Sequence, residues 1–207
     1  MCIRPELHQN VAKLAEPPRA EKDPVRPLTP EEARAFLEHV RGERLEALWT
    51  VALAVGLRRG EALGLRRQDV DLEAGELRVV KNLQRLTGHG LVLTEPKSRE
   101  SRRTIPLPPL AVTALHDHRR RMTAERLKAG PEWTESELIF VATTGLPLDP
   151  SNVSHMGRRH LKKAGRPDLT LHGLRHSCAS LLLAQGIEPL LIKEILGHSQ
   201  VSFTLSI

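Results

Sequence analysis

The sequence predicts an α+β fold, mainly α-helical, with a small antiparallel β-sheet. Two observations predict it. Helix start and stop signals bracket apolar or amphipathic runs in both halves of the chain. Short β-branched segments separated by turn residues occupy only the middle. No internal repeat interrupts this order, so one compact domain is expected over residues 29–207.

Residues 1–28 read as a linker, because "NVAKLAEPPRAEKDPVRP" mixes prolines with both charge signs. The first helix begins sharply at "LTPEEARAFLEHV". Thr29 suits the N-cap, Pro30 the first helical position, and Glu32 completes a capping box. "RLEALWTVALAVG" follows as a helix apolar enough to be buried, with Gly56 placed to end it. The period then changes. "ELRVVKNL", "GLVLTEPK" and "RRTIPL" are the predicted strands of one small sheet, with "TGHG" as a turn. A long helix is expected over "PLAVTALHDHRRRMTAERLKAG", stopping at Gly130-Pro131, and "ELIFVATTG" reads as extended. Three further helices follow: one from Asp149 or Ser151, one from about Leu171, and a last one in "EPLLIKEILGH".

Composition narrows the function classes. The 207 residues carry 31 Lys+Arg against 25 Asp+Glu, a net charge of +6, which favours a polyanionic partner such as nucleic acid. Cys2 and Cys178 are too few and too far apart for a disulfide scaffold, so a reducing compartment fits. "MCIRPELHQN" lacks the apolar core of a signal peptide. The longest apolar run, "LWTVALAVGL", is about half of what a membrane span needs. A cytoplasmic protein without a membrane partner is expected.

Three segments carry candidate chemistry. In "LTLHGLRHSCASLLLAQG", helical spacing puts Leu171, Leu174, Cys178, Leu181 and Leu182 on one arc, and His172, Arg175 and His176 on the next. Arginine suits a two-point grip on phosphate, and histidine exchanges protons near neutrality. His172 and His176 also have the spacing of a zinc pair. Gly173 stands where the glutamate of that motif belongs, so no metal is expected. In "AVGLRRGEALGLRRQDVDL", Glu61 lies three residues after Arg58 and can fix its fork; alone, Arg58, Arg59, Arg66 and Arg67 would read as a solvated basic face. In "TEPKSRESRRTIPLP", Lys97 is expected at a hairpin tip flanked by Ser98, Arg99, Arg102 and Arg103, a basic tip able to enter a nucleic-acid groove.

Taken together, "GLRRGEALGL", "PKSRESRRTIPL", "LHGLRHSCASLLLAQG" and "IKEILGHSQVS" resemble the tyrosine recombinases, or phage integrases. They match that family's first arginine box, hairpin lysine, HxxRH box and LGHS box, in the same order. The resemblance covers about residues 28–207 and implies the tyrosine recombinase catalytic fold. It implies site-specific DNA recombination or integration through a 3′-phosphotyrosine, needing neither metal nor nucleotide cofactor. Arg58 and Arg175 would hold the non-bridging oxygens of the scissile phosphate, and Lys97 would protonate the departing 5′-oxygen. His172 would assist proton transfer, and His198 would hydrogen-bond the phosphate. Glu61 and His176 would support them, while Arg58, Lys97, Arg99, Arg102 and Arg175 would contact DNA. Partners implied are double-stranded DNA and, for full-length relatives, further copies of the chain on DNA.

The chain contains no tyrosine. The family's nucleophile would fall immediately after Ile207, and residues 1–28 resemble only the tail of the family's N-terminal core-binding domain. A cleavage-incompetent DNA-binding fragment is therefore expected. The second reading is a non-catalytic DNA-binding or regulatory protein reusing the fold.

Overall fold

A computed structural model of the chain describes residues 26–96 and 101–197. Its organising element is the second helix. Helix α1 (Pro30–Val40) starts at Thr29, where the capping box forms as expected: Thr29 Oγ1 accepts from the Glu32 amide at 3.2 Å, and Glu32 Oε2 accepts from the Thr29 amide at 2.9 Å. Helix α2 (Glu46–Ala54) buries every residue from Ala47 to Leu53 and packs against α1, α4 (Pro109–Ala129) and α6 (Leu171–Ala184). A helix apolar all round has no solvent face to keep, which is why it lies at the centre. Trp49, Phe36, Phe140, Leu63, Leu77 and Leu161 fill the space around it.

Gly56 ends α2 with φ +69, and a Cβ there would lie 2.4 Å from Leu196 Cδ2. Glycine thus serves both the turn and the close approach of the C-terminal helices. A short helix α3 (Arg59–Leu63) follows at once. It was hidden in the sequence because five residues carry too little periodicity to detect.

The strands form two antiparallel sheets rather than one. Strands β1 (Val70–Asp71), β2 (Glu76–Val79) and β5 (Arg103–Pro106) make a sheet in the order β1-β2-β5, with Leu77 opposite Ile105 and Val79 opposite Arg103. Strands β3 (Asn82–Leu86) and β4 (Gly90–Thr94) make a separate hairpin around Thr87–His89. "ELRVVKNL" therefore contains the end of one strand and the start of another, broken at Val80-Lys81. The β4–β5 connection is consequently not a hairpin loop, since β4 pairs with β3 and β5 with β2. "ELIFVATTG" makes isolated bridges, Arg66 with Leu138 and Val141 with Pro147, in place of a strand.

Helix α5 (Pro150–Lys163) is capped by Asp149, whose Oδ1 accepts from the Ser151 amide at 2.7 Å. Thr170 caps α6, and α7 (Pro189–Leu196) ends on Gly197 in the left-handed region. Cys178, Ala179, Ile192 and Leu196 form a small second core between α6 and α7. Among the described residues no helix is long and apolar enough to cross a membrane.

Candidate functional site

Three arginines from three elements converge on one helix end, and two of them share one carboxylate. Arg58 stands at the N-cap of α3, Arg103 opens β5, and Arg175 lies in the second turn of α6. Glu61, one helical turn after Arg58, is 3% exposed. Its Oε1 accepts from Arg58 Nη1 at 2.7 Å and its Oε2 from the Arg58 amide at 3.0 Å. The same carboxylate accepts from Arg103 Nη2 at 3.0 Å.

The helix end is that of α7, whose last carbonyls lack intrahelical donors. Arg103 Nε donates to the Ile195 carbonyl at 2.6 Å, Arg175 Nη2 to that of Leu196, and Arg58 Nη2 to that of Gly197 at 2.9 Å. Arg175 Nη1 also donates to the Gly56 carbonyl at 2.7 Å. Cations suit a helix C-terminus, where the aligned peptide dipoles end negative. Two of these three side chains, Arg58 and Arg175, are the ones that the sequence nominated for phosphate.

Charge at this point is unbalanced. Among the described residues, three guanidiniums gather near one carboxylate, Glu61, which accepts from Arg58 and Arg103 but not from Arg175. Burial alone pushes Glu61 up, but the Arg103 charge and hydrogen bonds, with smaller contributions from Arg58, more than offset it and hold the carboxyl below its usual range. Burial and then Arg58 push Arg175 down to about 9, which leaves it charged at neutral pH. A buried cation with a repelling neighbour is poised to gain from an anion.

His172 and His176 flank Arg175 on α6, their rings edge-to-face at 4.6 Å. Desolvation, His176, Arg175 and Arg58 lower His172 in that order, and desolvation followed by Arg175 lowers His176. Both imidazoles are neutral at pH 7, so a ring nitrogen on each can accept a proton. Cys178 is buried away from them, its thiol pushed up to about 12 by desolvation, and plays no acid–base part at neutral pH.

Arg58, Glu61, His172, Arg175 and His176 are thus brought together. Arg175, expected on an arc beside the apolar stripe, is itself buried at 2% exposure, so Arg58, with a side chain 40% exposed, forms the open edge. Arg102 is exposed and pairs with Glu95 across the β4–β5 connection. Lys97, Arg99 and His198 lie outside the described residues. The tip expected around Lys97 needs correcting for Arg103, whose side chain is turned into the protein. Strand alternation carried that signal, since Arg103 and the core residue Ile105 are two apart and share a face. Arg66, expected on a solvated face, is mostly buried against Asp69 at 2.6 Å.

Comparison with known proteins bears on this arrangement. Residues 26–207 match the phage integrase family. A tyrosine recombinase XerC-like protein of Caldanaerobacter subterraneus is 35% identical over 86% of this chain and 48% of its own length. An integrase of Saccharopolyspora erythraea is 27% identical over 96% of this chain and 57% of its own. The chain spans about half the length of the curated relatives it matches. Among solved structures, the Tn1549 transposon integrase in complex with circular intermediate DNA superposes with a TM-score of 0.76 at 26% identity, over 90% of this chain and 63% of that one. The XerA recombinase gives 0.68 at 28% identity, over 86% and 58%.

Proposed function

Since the chain belongs to the phage integrase family, we propose that residues 26–207 bind duplex DNA and grip a backbone phosphodiester in site-specific recombination or integration. One observation carries this: three guanidiniums gathered near one carboxylate leave a positive charge that no second carboxylate among the described residues balances.

In this reading Arg58 supplies the accessible fork and Arg175 the buried charge behind it. Each guanidinium has five N–H donors, and the intramolecular bonds of these two side chains leave donors over for non-bridging phosphate oxygens. Their placement would stabilise the pentacoordinate phosphorus, where negative charge increases. Neutral His172 would take the proton from an attacking tyrosine hydroxyl. The phosphorus–oxygen bond to the 5′-oxygen breaks as the bond to the tyrosine oxygen forms, and Lys97 would return a proton to the leaving oxygen. His198 would hydrogen-bond the same phosphate, and Arg99 and Arg102 would track the DNA backbone. The 207 residues contain no tyrosine, so a phosphotyrosine link needs a tyrosine from outside them. We place the activity in the cytoplasm, where chromosomal DNA would be reached, with further copies of the chain assembling on the DNA.

Fluorescence anisotropy with a labelled duplex tests the reading. Affinity should fall steeply as salt rises, because each phosphate neutralised releases condensed counterions. Equal binding at low and high salt would count against it. A nicked duplex incubated with this polypeptide alone should give no covalent adduct on a denaturing gel; an adduct would mean that another residue is the nucleophile.

A further inference from the structure

Arg58 has two anchors, the Glu61 carboxylate and the Gly197 carbonyl, and one other side chain reaches the same carboxylate and the same helix end. Arg103, with its side chain 6% exposed, donates from Nη2 to Glu61 Oε2 at 3.0 Å and from Nη1 to Oε1 at 3.4 Å. Through Nε it holds the Ile195 carbonyl at 2.6 Å, in the last turn of α7. It also packs against Gly197 itself: a Cβ there would lie 2.9 Å from Arg103 Nη1 and 3.2 Å from its Cζ. The residue after Leu196 is therefore glycine for two reasons, a left-handed φ of +66 and the guanidinium beside it.

We propose that Arg103 is the positioning residue of the phosphate site, fixing Glu61 and the end of α7 so that the Arg58 fork they hold keeps its aim. The proposal rests on the function proposed above. Arg103 directs its donors into the protein, to Glu61 and to the Ile195 and Ser101 carbonyls. Its fork joins the β-sheet to α3 and α7, and the strand pairing of β5 with β2 keeps it rigid. Of the two arginines on Glu61, it contributes more to holding that carboxyl ionised. Without it, burial is left opposed mainly by Arg58, and the carboxyl rises.

The test uses the full chain with Arg103→Ala and Arg103→Lys. Carbon-13 NMR follows the Glu61 carboxyl, assigned by its disappearance in Glu61→Gln, and a labelled random-sequence duplex reports binding at low salt. Arg103→Ala should move the Glu61 midpoint up, into or above the ordinary carboxylate range. It should weaken the duplex about tenfold at neutral pH, the size of one lost charge-assisted contact. On acidification its affinity should fall at a higher pH than that of the parent. In a Glu61→Gln background, the same substitution should leave that pH profile unchanged. If Arg103→Ala does not fold, Arg103→Lys decides. Lysine keeps the charge, so Glu61 should titrate much as in the parent, but it cannot bridge Glu61 and Ile195 at once, so the duplex should still weaken. An unmoved Glu61 midpoint in Arg103→Ala, or parent-like binding by whichever variant folds, overturns the proposal. A parent chain that binds no duplex at low salt overturns the functional reading, and the role of Arg103 within it, whatever the Glu61 midpoint does.

Discussion

Two arginine–carboxylate clusters lie beside the N-terminal half of α6, and they differ in charge balance. The first joins the lead-in to α1 with the segment before α6. There Arg166, 6% exposed, pairs with Asp168 at 2.7 Å and Glu32 at 3.1 Å, and Arg26 pairs with Glu32 at 2.6 Å. Arg166 also donates to the carbonyl of Arg26 at 2.6 Å, and the Leu28 amide donates to Ser177 Oγ on α6 at 2.9 Å. Two guanidiniums meet two carboxylates, and Glu32 is held down at about 2, chiefly by its hydrogen bond from Arg26. Among the described residues the second cluster has three guanidiniums and one carboxylate, Glu61. A balanced cluster is complete in itself and serves folding. An unbalanced one carries a standing electrostatic cost that an anion relieves, which is the mark of a site.

The largest effect that sharpens this contrast is on stability. Glu61→Ala leaves Arg58 and Arg103 without their carboxylate and should cost about 3–5 kcal/mol, the range for breaking a buried pair. Denaturant unfolding measures it; a loss under about 1 kcal/mol would mean the arginines do not depend on Glu61. Arg166→Ala should cost less, about 1–2 kcal/mol, because Glu32 and Asp168 are partly exposed and water takes over part of the solvation. Its duplex affinity should stay near that of the parent, the opposite of what Arg58→Ala should give.

A smaller effect concerns pH. His172 and His176 have folded pKa values below the unfolded one, so the unfolded chain takes up protons first as pH falls. Their contribution to stability is full above the ordinary histidine range and declines as pH drops through it toward the lowered values. Proton NMR should place both midpoints below about 6.5 in the DNA-free chain, and bound duplex should raise them. Midpoints above that value would remove the neutral base from the site.

Much of the site was legible in the sequence because its residues lie within short local motifs. Arg58 and Glu61 are one helical turn apart, and His172, Arg175 and His176 share one helix, so spacing brings each set together, and the family resemblance joins the two sets. Arg103 was not legible in the same way. Its neighbours in sequence are basic, which suggested a solvated tip, and its inward face becomes evident only once Ile105 is known to be core and Glu61, 42 residues earlier, is known to face it. The two sheets were missed for a related reason. Nothing in "ELRVVKNL" marks the break at Val80-Lys81, because pairing partners, not local propensity, decide where one sheet stops. The helices fared better, since caps at Thr29 and Asp149 and the glycine at 56 announce their ends.

The most direct measurement is the slope of log affinity against log salt for a labelled duplex, taken on the parent, Arg58→Ala and Arg166→Ala. Each phosphate contact contributes about 0.9 to that slope. Removing the Arg58 contact should make the slope shallower by about one and weaken binding at every salt concentration. Arg166→Ala should keep the parent slope. Equal slopes for the parent and Arg58→Ala, or a shallower one for Arg166→Ala alone, would contradict the assignment of the unbalanced cluster to phosphate.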